Sequence, residues 1–198
     1  EGRVEGGDRL SAYYHAQARA TGRLTRLVER LLDFGRMEAG AFRYCPESVR
    51  LDELTRSVVD EFEHVSATTG HKIELSADST LEPVLVDREA MAQAIWNLLD
   101  NAIKYSPDGS KVWVDVSRED GNAAVRVRDE GPGIAEEEQK DLLQKFVRGS
   151  AAREGAVKGT GIGLAMVDHI VGAHKGCVRV DSTLGEGSTF TILLRREQ

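Results

Sequence analysis

The chain has few of the features that mark secreted, membrane-spanning or nucleic-acid-binding proteins. It has two cysteines, Cys45 and Cys177, which lie far apart without metal-site spacing, so a reduced, cytoplasmic compartment is expected. No apolar run approaches the length of a membrane span, and no signal peptide is visible. The net charge of −7 argues against a broad nucleic-acid or anionic-membrane surface.

The composition is typical of one domain of ordinary size, or of one domain plus an appendage. Of the 198 residues, 40% are hydrophobic and 30% charged, which suffices for a core. The first residue, Glu1, lies within a helical pattern, so we expect a fragment of a longer protein.

Residues 8–38 are predicted to form one long helix, which would be roughly 45 Å long. Its apolar stripe has three–four spacing and requires partner helices, in a bundle or a coiled-coil dimer. The stripe contains Leu10, Tyr14, Leu24, Leu27, Leu31 and Phe34. Gly40 ends the helix, and residues 41–48, with Pro46, are predicted to be a linker.

From Val49 onward, helical and alternating patterns follow one another. Helices are predicted over 51–69, 87–105, 136–146 and 160–173, and strands over 72–76, 84–86, 112–116, 125–127, 177–182 and 189–194. The fold class is therefore α/β: a two-layer sandwich with a mixed sheet of about five strands and about three helices on one face, preceded by the long helix.

A polar stripe runs along the helix predicted over 87–105. Asn97, Asn101 and Lys104 recur at i, i+4 and i+7, beside an apolar face that contains Ile95 and Leu98. Two carboxamides and an ammonium in line suggest a surface for a metal ion and phosphate. The alternative is a solvated face next to the core.

The segment DEGPGI, from Asp129 to Ile134, ends one strand and precedes a helix. A carboxylate there can accept a hydrogen bond from an exocyclic amine such as that of adenine. Gly131 and Gly133 remove side chains where a flat ring must approach. The alternative is a plain Gly-Pro-Gly turn.

A second glycine segment, GTGIGL, opens the helix predicted over 160–173 and exposes backbone N–H groups to an anion. It lacks the third glycine of the dinucleotide fingerprint, and no P-loop occurs in the chain. The preceding loop, 147–158, carries Arg148, Arg153 and Lys158, which suit a polyphosphate. Incidental charge on an exposed loop is the alternative.

Together, these segments resemble the catalytic ATP-binding domain of bacterial sensor histidine kinases, over residues 49–195. NLLDNAIKYS (97–106) resembles the N box, DEGPGI the first glycine box, Phe146-Val147-Arg148 the F box, and GTGIGL the second glycine box. The family belongs to a superfamily shared with DNA gyrase, heat-shock chaperone ATPases and mismatch-repair ATPases. The resemblance implies the Bergerat-type ATP-binding fold of that superfamily.

The resemblance also implies roles for individual residues. Asp129 would bind the adenine amine, and Asn101 would ligate a Mg²⁺ that bridges the phosphates. Lys104 would reach phosphate, Tyr105 would lie against the nucleotide, and Phe146 would seat the ATP lid. The implied catalytic residues are Asn97, Lys104 and Arg148; the further nucleotide-binding residues are Gly131, Gly133, Ile134, Lys158, Gly159, Thr160, Gly161, Ile162, Gly163 and Leu164.

Asn97 separates branches of the superfamily. Members that hydrolyse ATP begin the N box with a glutamate that activates water, whereas a carboxamide cannot act as a general base. The resemblance therefore implies a site that holds ATP for transfer to a histidine.

Residues 24–40 resemble the second helix of the family's dimerisation and phosphotransfer hairpin. The acceptor histidine belongs to the first helix, and His15 lacks the acidic residue and proline of that context. We therefore expect the chain to bind ATP without phosphorylating itself. The implied partners are a histidine-bearing helix, a second subunit of a homodimer and a response regulator, with the chain as the cytosolic part of a membrane-bound sensor. The alternatives are an anti-sigma-type serine kinase and a nucleotide-sensing interaction module.

Overall fold

The computed structural model describes residues 39–66, 70–143 and 161–195, together with 34–37 and positions 14, 17, 21 and 32. The chain divides into two compact units, Glu1–Arg43 and Tyr44–Gln198. The sequence predicts a helical segment over 1–40, a linker over 41–48 and an ATP-binding domain over 49–198, and these boundaries stay a prediction.

In the first unit, every described position from 14 to 37 is helical. The other residues of the helix predicted over 8–38 lie outside the described part, so the long helix stays a prediction. Gly40 adopts a φ of +65°, and its N–H donates to the carbonyl of Met37 at 3.0 Å. This left-handed residue ends the helical segment at the predicted place.

The second unit contains four helices and seven strands within its described residues. The helices are α1 (Leu51–Ser66), α2 (Arg88–Tyr105), α3 (Glu136–Gln139) and α4 (Gly163–Ala173). The strands are β1 (Glu47–Val49), β2 (Lys72–Ala77), β3 (Val84–Val86), β4 (Lys111–Glu119), β5 (Asn122–Arg128), β6 (Cys177–Thr183) and β7 (Gly187–Leu194). None of the described helices is long and apolar enough to cross a bilayer.

Five strands form one mixed sheet in the order β2-β4-β5-β7-β6, in which β2 runs parallel to β4 and the other pairs are antiparallel. Val114, Val125 and Ile192 are fully buried on the face that packs against α1, α2 and α4. The predicted two-layer α/β sandwich is therefore confirmed. The opposite face carries ion pairs, such as the one between Arg126 and Asp115 at 3.0 Å.

Two short segments differ from the prediction. β3 pairs with β1 in a separate antiparallel ribbon, with Val49 opposite Val84, and it does not join the main sheet. The predicted linker, 41–48, overlaps the start of β1. A three-residue strand has too few alternating positions to show a period of two. The pattern therefore indicated neither the strand at the end of the linker nor the pairing of β3 with it.

The helix bounds follow from local backbone chemistry. Asp87 caps α2 by accepting a hydrogen bond from the N–H of Ala90 at 2.9 Å, as expected for an aspartate before a helix. Gly161 has a φ of +70°, which no right-handed helix contains. Consequently α4 begins at Gly163, later than predicted. α3 ends at Gln139, and residues 144–146 of its predicted span lie outside the described part.

Candidate functional site

Asp129 lies at the end of β5 and is buried, with 5% of its surface exposed. Its Oδ1 accepts hydrogen bonds from the N–H of Gly131 at 2.8 Å and from that of Ser188 at 3.1 Å. Among the described residues, no donor reaches Oδ2. One carboxylate oxygen is thus held by the fold, while the other can accept a hydrogen bond from a ligand.

The environment of this carboxylate changes its acidity. Burial raises the pKa of Asp129, and the hydrogen bonds from Gly131 and Ser188 oppose this effect. A partly desolvated acceptor interacts more strongly with a donor than an exposed one does. The position therefore suits recognition of a single N–H group on a base.

The glycines of DEGPGI allow three parts of the chain to meet here. A Cβ on Gly131 would lie 3.0 Å from the carbonyl oxygen of Tyr105, at the end of α2. Gly133 has a φ of +69°, and its Cβ would fall 1.9 Å from the carbonyl oxygen of Thr183. The next residue, Ile134, donates its N–H to the Oγ of Ser182 at 2.9 Å. Side chains at Gly131 and Gly133 would push this loop away from α2 and β6.

The two asparagines of α2 face α4. Asn97 is 4% exposed; its Oδ1 accepts from Gln93 at 3.3 Å, and its Nδ2 donates to the sulfur of Met166 at 3.5 Å. Both terminal atoms of the Asn101 carboxamide lie 4.0 Å from the Cβ position of Gly163. Both asparagines therefore lie against the first turn of α4.

Lys104, on the same helix, forms an ion pair with Asp100, four residues earlier. Both side chains are partly exposed, so solvent screens this pair and it contributes little to stability. To contact phosphate, the ammonium group of Lys104 would have to leave Asp100 and pair with the phosphate instead.

The start of α4 offers backbone donors. Ile162 occupies the N-cap, and its side chain makes no hydrogen bond to the helix. The first turn contains no acidic side chain, and Leu164, in that turn, is half-buried. The first N–H groups of a helix attract anions, particularly where no carboxylate competes for them.

The structure thus brings Tyr105, Asp129, Gly131, Gly133 and Ile134 together, and it places Asn97 and Asn101 against α4. Lys104 lies on α2, and residues 161–164 lie at the start of α4. The other predicted site residues lie outside the described part of the chain: Phe146, Arg148, Lys158, Gly159 and Thr160. Across the described ranges, no group of three or more His, Cys, Asp or Glu side chains is placed to hold a metal ion.

The sequence analysis missed residues that contact the site but are distant from its motifs along the chain. Ser188 binds the Asp129 carboxylate, and Gly187 has a φ of +94°, with its Cβ position 2.1 Å from the Asp129 carbonyl oxygen. Gln139 donates to the carbonyl oxygens of Ile134 and Ser182, each at 2.9 Å. Gly185-Glu186-Gly187 is a turn signal in the sequence, but the proximity of Gly187 to Asp129 depends on the pairing of β5 with β7.

Comparison with known proteins agrees with the resemblance to sensor histidine kinases stated from the sequence motifs. Residues 86–198 match the model of the family described as histidine kinase-, DNA gyrase B- and HSP90-like ATPase. The sensor-like histidine kinase SenX3 of Mycobacterium tuberculosis is 35% identical over 172 residues, which cover 87% of this chain and 42% of SenX3. The chain therefore spans less than half the length of this relative.

Solved structures agree with the sequence relatives. The histidine kinase AdeS of Acinetobacter baumannii superposes with a TM-score of 0.74 at 30% identity, over 93% of this chain and 84% of AdeS. Full-length ShkA, crystallised in complex with AMPPNP, gives a TM-score of 0.79 at 27% identity, over 95% of this chain and 40% of ShkA. The chain belongs to the histidine kinase-, DNA gyrase B- and HSP90-like ATPase family, and it carries the ATP-binding catalytic domain of a histidine kinase. The resemblance stated from the motifs is confirmed.

Proposed function

We propose that this domain binds ATP with Mg²⁺ and transfers the γ-phosphoryl group to a histidine on a separate helix. The observation that carries the proposal is the buried Asp129 carboxylate, with one oxygen held by two backbone N–H groups and the other without a donor from the described residues. This arrangement fits the exocyclic amine of adenine, and the glycines around it leave space for a flat ring.

The opposite end of the site fits a polyphosphate. The start of α4 presents backbone N–H groups, and Gly163 leaves the Asn101 carboxamide uncovered. Asn101 would hold Mg²⁺ through its amide oxygen, since this ion prefers oxygen ligands and keeps several waters. When bound, the ion would neutralise phosphate charge.

The remaining predicted residues complete this proposal. Lys104 and Arg148 would contact phosphate. Phe146 and Lys158, with the backbone of Gly159 and Thr160, would form the lid that closes over the nucleotide. These parts would act by positioning and by charge stabilisation, which dominate phosphoryl transfer.

Asn97 supports transfer over hydrolysis. Its carboxamide cannot remove a proton from water, and it lies buried between Gln93 and Met166. In the transfer, the bond between the γ-phosphorus and the bridging oxygen breaks, a bond to the histidine nitrogen forms, and ADP leaves.

For the whole protein, we propose a homodimer joined through its N-terminal helix, with the histidine-bearing helix on its own or the partner subunit. The phosphoryl group would then pass to an aspartate of a response regulator. The domain would be the cytosolic part of a membrane-bound sensor. These proposals follow from the family resemblance, and the chain covers 42% of the sensor-like histidine kinase SenX3.

The test uses the chain and γ-labelled ATP, with and without a separate helical hairpin that carries a histidine. We expect ATP to bind, the chain to stay unlabelled, and acid-labile label to appear on the hairpin. Asp129→Asn is the matched control, because it should reduce labelling at low ATP concentration. Label on the chain alone would contradict the proposal. Acid-stable serine label would indicate the serine-kinase alternative, and binding without transfer would indicate the interaction module.

A further inference from the structure

Gln93 lies one turn before Asn97 on α2, and nothing in the motif pattern singles it out. Its Nε2 donates to the Oδ1 of Asn97 at 3.3 Å. At the other end of the same carboxamide, Nδ2 donates to the sulfur of Met166, on α4, at 3.5 Å. Each end of the Asn97 amide therefore has its own partner, and the two partners come from the two helices that form the phosphate side of the site.

The chemistry of these partners selects one orientation of the amide. An amide oxygen only accepts hydrogen bonds, and an amide nitrogen only donates them. The Gln93 amide carries an acceptor as well as a donor, so by itself it can pair with either end of the Asn97 amide. The thioether of Met166 is a weak acceptor and therefore suits the nitrogen. Met166 therefore selects the orientation, and Gln93 completes it by donating to the oxygen. Asn97 is 4% exposed, so water offers little compensation for the reversed orientation.

The orientation decides what Asn97 can offer to a ligand. In the described part of the chain, its carboxamide makes only these two hydrogen bonds, which leaves one lone pair and one N–H. Reversing the amide exchanges the positions of these two groups. A phosphate oxygen needs an N–H and a cation needs a lone pair, so the reversed amide would present the wrong group to each.

We infer that Gln93 is a positioning residue for phosphoryl transfer: together with Met166, it holds the Asn97 carboxamide in the orientation that the reaction uses. This inference rests on the proposed function above. Gln93 itself need not touch the nucleotide, because it acts through Asn97.

Gln93→Glu tests the inference with almost no change in shape. A carboxylate at position 93 can only accept hydrogen bonds, so it repels the Asn97 oxygen and attracts the nitrogen. We expect the amide to reverse. In NMR spectra, the nuclear Overhauser effect between the Asn97 side-chain amide protons and the Met166 methyl group should be present in the wild-type chain and lost in the variant.

The kinetic result should differ from that of a simple loss of stability. With saturating ATP and the histidine-bearing hairpin, we expect the transfer rate of Gln93→Glu to fall about tenfold, while the ATP dissociation constant changes less than about threefold. Gln93→Met removes the donor without adding an acceptor, so a smaller loss of about threefold is expected. The Gln93→Met variant also tests the inference if Gln93→Glu fails to fold.

Arg88→Gln is the matched control for charge. It makes the same change of −1 on the same helix, at an exposed position whose partner is Glu47. Its transfer rate should stay within about twofold of wild type. A transfer rate of Gln93→Glu within that same range would overturn the inference, whichever way the amide points. A wild-type chain that binds no ATP or labels no hairpin would instead refute the proposed function, and the NMR contact would still report the amide orientation.

Discussion

Asp129→Asn tests the adenine assignment directly, because fold and recognition depend on different oxygens of this side chain. Oδ1 accepts the N–H groups of Gly131 and Ser188 at 2.8 and 3.1 Å. An asparagine can keep an oxygen at that position and place its NH₂ group where Oδ2 was. The loop geometry should therefore survive, while the group that faces the adenine amine changes from an acceptor to a donor.

The size of the effect follows from the lost interaction. A hydrogen bond to a charged group contributes about 1.5–3 kcal/mol, so the ATP dissociation constant should rise about 10- to 150-fold. Calorimetric titration of the wild-type and variant chains with ATP measures this change, and circular dichroism checks the fold. Unchanged affinity in a folded variant would refute the adenine assignment.

Inosine triphosphate makes the test more specific, since it carries a carbonyl oxygen in place of the adenine amine. The wild-type chain should prefer ATP to inosine triphosphate, because a carboxylate oxygen accepts the N–H of the adenine amine but cannot donate to a carbonyl. In Asp129→Asn the preference should narrow or reverse, because the new N–H can donate to that carbonyl. Equal loss of both nucleotides would point to a general disturbance of the loop.

The same substitution has a second consequence, for stability without ligand. Burial raises the pKa of Asp129 above its ordinary value of 3.8. Between pH 3.8 and the native pKa, the native chain binds more protons at Asp129 than the unfolded chain does. The stability contributed by protonated Asp129 is therefore fully present below pH 3.8 and is lost as pH rises through the native pKa. Asparagine does not titrate. We therefore expect Asp129→Asn to gain stability relative to wild type between about pH 3.5 and pH 7, measured by urea unfolding at both values. A constant difference would contradict the raised pKa.

Two glycine pairs supply further predictions. Gly133→Ala should destabilise the chain by more than about 3 kcal/mol, because it adds a steric clash to left-handed backbone strain. Gly185 has a φ of +84° and open space around its Cβ position, so Gly185→Ala should cost only about 1–2 kcal/mol of stability. Chemical denaturation measures both losses, and equal losses would exclude the clash at Gly133. Gly163→Ala should leave stability unchanged or raised by up to about 1 kcal/mol, while ATP affinity falls as the methyl group approaches Asn101. Gly172 lies on the same helix, and its Cβ position has no atom within 4 Å. Gly172→Ala should therefore change stability but not ATP affinity. Equal ATP affinity in both variants would contradict the placement of phosphate near Gly163.

Local signals explain why much of the fold was predictable. The buried face of α2 contains the predicted Ile95 and Leu98 together with Met91, Ala94 and Ala102, because helical spacing alone places them on one side. The hairpin of β4 and β5 shows equally clear alternation around its turn. β1 and β3 have three residues each, and their pairing depends on a contact between segments that are distant in the chain.

Within the site, the sequence by itself determined which chemical groups are available. Asp129 and its two glycines share one short segment, and Asn97 and Asn101 share one helical face, so their grouping required only local geometry. The order of the segments also sufficed to identify the family. None of this depended on knowing how the strands pair.

Only the tertiary structure decided how those groups are oriented. Pairing of β5 with β7 brings Ser188 to the Asp129 carboxylate and so determines which oxygen is held and which can meet a ligand. Packing of α4 on α2 places Gly163 opposite Asn101 and Met166 against Asn97. These contacts join residues that are far apart in the chain, and the same local patterns are compatible with several strand orders and helix packings. Burial of the apolar faces selects one arrangement, and that arrangement sets the direction of each polar group.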